Sequence, residues 1–573
     1  MTQTRYRSPN CLDGSTGRSP QPQQTERRSN GGDIYSLVIA VKFFWIFGDG
    51  QQAKGKQGNM ASGIMYLILI QVISRGFTFI ANQFLLRYLS PSVLGAATQL
   101  EIYSISVLYF ARESFRLVLQ RQSAPDEDGK NEKTDSQEKS KELTQSIVNM
   151  AFLPVVLGSI LALALGTLQA KVSEGIANEI PYFNEGLRLT GWACLFELLA
   201  EPGFTFIQWR SLFKKRAAIE STAAVIRCLA SCATAIIGAR MGIIVGVLPF
   251  AMGQIAFSLT ILFGYMATAV RLSWKENISL FPRPLQHTPK AILGRFSNQL
   301  MTLAANIYGQ SIVKHFLTQG DSMTLAAMTT LEDQGLFALA SNYGSLVARI
   351  IFQPIEESSR NLLGRLLTNG EGKRQKVPVE RVKEAKDYLC TILHLYVTAS
   401  ILILSLGPTL VPQILSALLG ARWSSSNLVK ILSCYCYYIP VLALNGVLEA
   451  FVSSTASHSQ LRRQSLWMAV CSVAFIAVAY IFLSVLDSGA SGIVWANIAN
   501  MVLRIIWSFR HIRNYFGQLG VQFQVSDFVP KFWTFALGGA SISIMSILKP
   551  LSSLKVPFLV QSLGIGGLLA IIM

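Results

Sequence analysis

The sequence predicts an all-α polytopic membrane protein of about fourteen transmembrane helices: two six-helix lobes related by a parallel repeat, followed by two C-terminal helices. Three observations predict it. Of 573 residues, 51% are hydrophobic and only 14% charged, and the mean hydropathy is +0.39, too apolar for a soluble chain of this size. The apolar residues gather in runs that match the roughly 20 residues a helix needs to cross a bilayer. A ten-residue pattern that closes the second run recurs at the close of the eighth.

In chain order, residues 1–59 are rich in Gln, Ser, Gly and Arg and read as a disordered extension. Ile34–Phe47 is apolar but short and carries Lys42, so it is not expected to span, and the polar residues after Met1 give no cleavable signal peptide. The N-lobe occupies 60–270, with spans at Ile64–Leu86, Val93–Phe110, Ile147–Leu168, Leu187–Ile207, Ala217–Ala239 and Ile243–Val270. A cytoplasmic linker, 271–295, leads to the C-lobe at 296–514. Its spans are Phe296–Phe316, Leu336–Ile355, Tyr388–Leu410, Val429–Phe451, Leu466–Leu486 and Ile493–Phe509. Two more, Phe532–Leu548 and Phe558–Met573, fall within 515–573. Pro202, Pro354 and Pro440 are expected to kink their spans.

The net charge of +18 does not point to nucleic acid, because the basic residues fall between apolar runs and form no single face. Lys and Arg are several times more frequent after even-numbered spans than after odd-numbered ones, which places those loops, and both termini, in the cytoplasm. Gln120–Glu142 and Asn361–Lys386, charged and six spans apart, read as mobile connectors. The repeat aligns Arg112–Arg121 with Glu356–Arg365 at an offset of 244, with Glu113/Glu357, Ser114/Ser358, Arg116/Arg360, Leu119/Leu363 and Arg121/Arg365 coinciding. A parallel duplication of six-helix halves explains it economically.

Catalytic signatures are missing from this pattern. There is no nucleotide-cradling Gly-rich loop and no His-Glu-x-x-His helix. The five histidines are isolated and the cysteines lie mostly within apolar runs, so no metal, cofactor or disulfide framework is expected, nor enzymatic activity. What stands out is charge at membrane depth: Arg75, Glu101, Glu197, Glu201, Arg227, Arg349, Glu449 and Arg504. Arg112, Glu113 and Arg116, with Glu356, Glu357 and Arg360, sit at the cytoplasmic ends of the repeated helices. They read either as an inter-lobe gate of ion pairs or as ordinary boundary caps. Asn342, Gln353 and Asn445 suit sugar hydroxyls or neighbouring helices. Arg227 and Arg504, nearer helix ends or on outer helices, suit snorkelling at least as well.

Several stretches resemble the Rft family of endoplasmic-reticulum membrane proteins. They are Ser74-Arg75-Gly-Phe-Thr78-Phe-Ile-Ala-Asn82, Leu86-Arg87-Tyr-Leu-Ser-Pro91, Arg112-Glu-Ser-Phe-Arg116, Asn342 through Arg360, Tyr435-Cys-Tyr-Tyr-Ile-Pro440 and Asn445-Gly-Val-Leu-Glu449-Ala-Phe. The resemblance runs from about Met60 to the end and departs at Gln319, where the pattern carries Glu. It implies the fold of the multidrug, oligosaccharidyl-lipid and polysaccharide exporter superfamily, with a central cavity between two lobes.

The implied role is flippase-type lipid transport in N-glycosylation. A dolichyl-diphosphate-linked oligosaccharide of five mannoses on two N-acetylglucosamines would pass from the cytoplasmic to the lumenal leaflet, with this protein as translocator or essential accessory. The expected partners are that dolichol-linked glycolipid and membrane lipids, with no nucleic acid. On this reading Arg75 and Arg349 clamp the diphosphate, because a guanidinium stays charged and offers a planar fork of donors to phosphate oxygens. Glu101, Asn342, Asn445 and Glu449 are further cavity candidates. The alternative is a structural or chaperone-like membrane protein that binds the glycolipid or the glycosylation machinery without moving it. A basic cavity open sideways to lipid would favour transport, and a closed or neutral one the scaffold.

Overall fold

The structure is a computed structural model that describes residues 76–548 except 79, 121–133, 211, 277–278, 286–290, 293, 368–377 and 420–425, along with a few side chains inside helices, Arg349 among them. It is helical apart from one short β-ladder, and among the described residues eight helices are long and apolar enough to cross a membrane. The first and fourteenth expected spans lie outside the described residues, save for 76–86.

The N-lobe begins with α1 (Pro91–Gln120) and α2 (Thr134–Met150), then α3 (Leu153–Val172), α4 (Glu174–Glu179), α5 (Phe183–Leu199), α6 (Glu201–Trp209), α7 (Phe213–Met241) and α8 (Leu248–Glu276). The C-lobe contains α9 (Asn298–Met328), α10 (Leu331–Val347), a π turn at Ala348–Phe352, α11 (Gln353–Leu367), α12 (Val379–Leu419), α13 (Ser426–Thr455), α14 (His458–Tyr480) and α15 (Ala490–Gln518). After it comes α16 (Phe532–Leu548), which has the bounds expected of the thirteenth span.

The departures from the expected spans have local causes. The fourth span is two helices, because Pro202, at the start of α6, has no N–H to continue the ladder from α5. The sixth starts at Leu248 and not at Ile243: Gly242 and Gly246 take positive φ, ending α7 and turning the chain into α8. The eighth is interrupted by the π turn just ahead of Pro354, whose ring would clash with the preceding helical carbonyl, and then continues as amphipathic α11 with Ser359, Leu363 and Leu367 buried. Pro440 sits inside an unbroken α13, as Pro408 and Pro412 do in α12. Both charged connectors are shorter than expected, because α2, α11 and α12 extend into them.

The linker between lobes is clasped as well as connected. Ala291–Ile292 pairs antiparallel with Phe296–Ser297. Asn149 of α2, fully buried, donates to the carbonyls of Arg283 and Arg295 at 2.7 Å each and accepts from the Arg283 amide at 3.0 Å. One side chain thus satisfies three backbone groups that would otherwise need water.

Within the N-lobe α7 packs on α8, α8 on α5, and α1 on α3; in the C-lobe α13 is central, against α11, α12 and α15. The lobes meet along α1, which contacts both α9 and α10. That seam has an apolar component, Val118 and Met150 against Leu300, Ala304 and Ile307. It also has a polar one, Gln99 Nε2 donating to Gln334 Oε1 at 2.9 Å.

Candidate functional site

A cavity of about 650 Å³ lies between the lobes, walled by α1, α5, α7 and α8 on one side and by α9 and α10 on the other. Its polar lining includes Glu101, Arg112, Glu197, Arg227, Gln254, Gln319 and Asn342. The shape suits a polar group at membrane depth surrounded by apolar wall, since amides and guanidinium groups can replace the water such a group gives up. The described lining carries two arginines against two glutamates, so it is charge-balanced.

Of the two arginines expected to hold a diphosphate, Arg75 lies outside the described residues, and Arg349 stands on the π turn with its side chain undescribed. Glu101 and Asn342 are on the cavity wall. Asn445 and Glu449 are not; they belong to the C-lobe interior. There Asn445 Nδ2 donates to Glu449 at 3.2 Å, and Arg504 Nη2 pairs with the same carboxylate at 3.1 Å. Arg504 is therefore an internal partner and not a snorkelling side chain. Arg227 is the reverse correction, since it faces the cavity between the lobes.

The helix-end charges pair within lobes. Arg112 Nη1 reaches Glu197 at 2.8 Å and Glu201 at 3.2 Å. Arg116 binds Glu201 through Nε at 3.1 Å and also through Nη2. Glu201 is only 2% exposed, so these bonds offset a desolvation cost that would otherwise be several kcal/mol per ion. Arg116 also stacks 3.9 Å above the Phe204 ring, with Arg216 at 4.9 Å from the same ring. Arg216 in turn pairs with Glu220 at 2.9 Å, to which the Tyr265 hydroxyl donates at 2.9 Å. A second hollow of about 240 Å³ runs among these groups, and Arg112 and Glu197 line both it and the larger cavity.

The C-lobe copy is built differently. Glu356 rests in the notch that Gly446 leaves on α13, where a methyl group would overlap its carboxylate. Gln353 donates to Glu357 at 3.3 Å and Arg360 Nε to Ser453 at 3.1 Å. Arg112, Glu113 and Arg116 thus make no ion pair with Glu356, Glu357 or Arg360, contrary to the inter-lobe reading of that pattern. Among the described residues, the ion pair that crosses between lobes at this end joins Glu113 to Lys314 of α9 at 3.5 Å. About two turns back along α1, the Ser106 hydroxyl meets Nε2 of His315, the neighbour of Lys314, at 3.0 Å.

Sequence reasoning singled out Glu197 and Glu201 as deep charges without seeing their role. The signal was present in part: Arg112 and Arg116, spaced i, i+4, share one face of α1, and Glu197 and Glu201 have the same spacing across the break between α5 and α6. What the spacing could not say was that α1 and α5–α6 are neighbours.

Comparison with known proteins places the chain. A family model described as "Rft protein" matches residues 59–573. The Man(5)GlcNAc(2)-PP-dolichol translocation protein RFT1 of Yarrowia lipolytica is 33% identical over 488 residues, covering 80% of this chain and 70% of its own. Its Schizosaccharomyces pombe counterpart is 32% identical over 513 residues, covering 88% and 92%. Among solved structures, the lipid II flippase MurJ in an inward closed conformation superposes with a TM-score of 0.58, covering 89% of this chain and 97% of its own at 13% identity, a likeness of fold alone. The chain, matched by that model over nearly its whole length, belongs to the Rft family.

Proposed function

We propose that this protein acts in the translocation of a dolichyl-diphosphate-linked Man5GlcNAc2 oligosaccharide across the endoplasmic-reticulum membrane, from the cytoplasmic to the lumenal leaflet, in protein N-glycosylation. The observation that carries this reading is the inter-lobe cavity: a polar hollow at membrane depth in a chain whose relatives are named for that translocation. The headgroup and its first sugars occupy the cavity while the isoprenoid tail remains in lipid. Arg227 and the amides of Gln254, Gln319 and Asn342 contact the polar portion, with Arg75 and Arg349 clamping the diphosphate. Arg112 and Arg116 lock α1 to α5–α6, so α1 moves with the N-lobe as a unit. Opening at the cytoplasmic end breaks the weaker, exposed Glu113–Lys314 pair.

The second reading, a glycolipid-binding scaffold or accessory, is favoured by the charge balance of the described lining, since a cavity dedicated to a diphosphate would carry a cationic surplus. The deciding experiment is purified protein in liposomes with labelled dolichyl-diphosphate oligosaccharide on one leaflet. Transfer that is lost in Arg227→Ala and Arg349→Ala supports translocation. Tight binding without transfer supports the scaffold.

A further inference from the structure

We infer that the N-lobe carries a second lipid site, for the anionic headgroup and one acyl chain of a membrane glycerophospholipid, in a groove between α3 and α5 on the far side of α1 from the inter-lobe cavity.

The groove measures about 970 Å³. Its floor is made by glycines: Gly166 on α3 and Gly191 on α5 both stand over the Tyr103 hydroxyl, so close that a Cβ at either position would lie 3.2 Å from it. Tyr103 is pinned from behind by donating to the Ala162 carbonyl at 2.8 Å. The absence of side chains at the two glycines is what leaves a slot between helices that otherwise pack directly. The walls are apolar, Leu163, Ala170 and Leu195 among them, and Trp192 stands at the mouth.

Three features say what fills it. The outer face of α3 beside the groove is Val156, Ile160 and Leu163, each more than 60% exposed and spaced three or four apart, as expected for a face against hydrocarbon. The groove is therefore continuous with the acyl region of the bilayer. At the other end, where α3 stops and α5 starts, Lys171 and Arg188 line the rim, and neither makes an ion pair or hydrogen bond with another described residue. Asn178 and Asn184 add amide donors there, and Glu174 is the one opposing carboxylate. Trp192, one turn along α5 from Arg188 and 58% exposed, is of the aromatic type enriched at headgroup boundaries. An apolar slot with a net cationic rim at its water end fits an anionic phospholipid. A free phosphate would leave the slot unfilled, and a zwitterionic headgroup would bring its own cation against the rim.

The site also touches a moving part. Tyr103 belongs to α1, whose other face lines the inter-lobe cavity at Glu101, Ser104 and Ile105 and packs against α10 of the opposite lobe. An occupied groove braces α1 against α3 and α5.

The test uses the full-length protein, delipidated in detergent, with bound lipid counted by native mass spectrometry in equal mixtures of phosphatidylinositol and phosphatidylcholine. One net cation near the headgroup predicts retention of the anionic lipid about fivefold over the zwitterionic one. The preference should disappear in Lys171→Gln/Arg188→Gln, whose exposed side chains are not needed for folding. Bound lipid of either kind should fall in Thr167→Trp, which fills the slot, and not in Val156→Trp on the adjacent lipid-facing surface. Equal retention of the two lipids would overturn the inference, as would an unchanged preference in the double variant. So would displacement by millimolar inorganic phosphate, which marks a soluble-anion site, or by dolichyl-diphosphate oligosaccharide, which marks a substrate path.

Discussion

Gly95 and Gly335 face each other across the seam between the lobes, and each leaves room for the other's backbone. A Cβ on Gly95 would stand 3.1 Å from the Gly335 amide nitrogen and overlap the Leu331 carbonyl. One on Gly335 would stand 3.0 Å from the Gly95 nitrogen and overlap the Pro91 carbonyl. With no hydrophobic drive between helices in lipid, close backbone packing of this kind is what brings them together. Gly95→Ala or Gly335→Ala should therefore destabilise the protein by about 1–3 kcal/mol through overpacking. Gly309→Ala, on α9 with open space around it, should not. Thermal unfolding in detergent ranks the three, and equal midpoints for all would show that the seam does not depend on this contact.

The buried carboxylate of Glu201 holds two arginines, whereas Glu449, 31% exposed, holds one. Removing one partner of a buried ion pair costs about 3–5 kcal/mol, because the charge left behind stays desolvated. Glu201→Ala should accordingly lower stability more than Glu449→Ala. Arg116→Ala combined with Glu201→Leu should recover part of the loss. Abundance and unfolding midpoint of the three variants check the order.

Asn149→Ala should free the inter-lobe linker. Its amide satisfies the backbone at Arg283 and Arg295, and unsatisfied buried groups cost about 1–3 kcal/mol each. Faster proteolysis within 279–297, at unchanged cleavage elsewhere, is the expected readout. Asn149→Asp, which keeps the acceptor but loses both donors, should show the same change.

At the edge of the C-lobe, Lys386 Nζ lies 2.8 Å from Asp527, and the hydrogen bond it donates holds the Asp527 carboxyl below its ordinary value. The folded value lies under the unfolded one, so the pair's contribution is fully present above the ordinary carboxylate range. It is lost as pH falls through the depressed folded value. The pair is partly solvent-exposed, so the expected effect is below about 1 kcal/mol. Asp527→Asn should reduce stability by that amount at neutral pH and by nothing in strong acid, as read from unfolding midpoints across pH.

Glu357 is exposed and bonded only to Gln353 of its own helix among the described residues. Glu357→Ala should leave abundance and stability within about 0.5 kcal/mol of the parent. Loss of glycosylation at normal abundance would then assign Glu357 to opening of the cavity, and normal glycosylation would count against any gating role for it.

Composition and run length by themselves determined that the chain crosses a membrane as helices, because a bilayer leaves no other way to satisfy the backbone of so apolar a segment. The position of α16 was legible for the same reason, since it follows from a local run, and depth alone singled out Glu101 and Asn342, two residues of the hollow's lining. Partnerships were not legible. That Arg112 and Arg116 meet Glu197 and Glu201, that Arg504 meets Glu449 and that Arg227 faces the hollow depend on which helices lie side by side. Helix adjacency is set by packing contacts between residues far apart in the chain, such as Gly95 with Gly335, and a charge on a helix face carries no record of its neighbour until those contacts form.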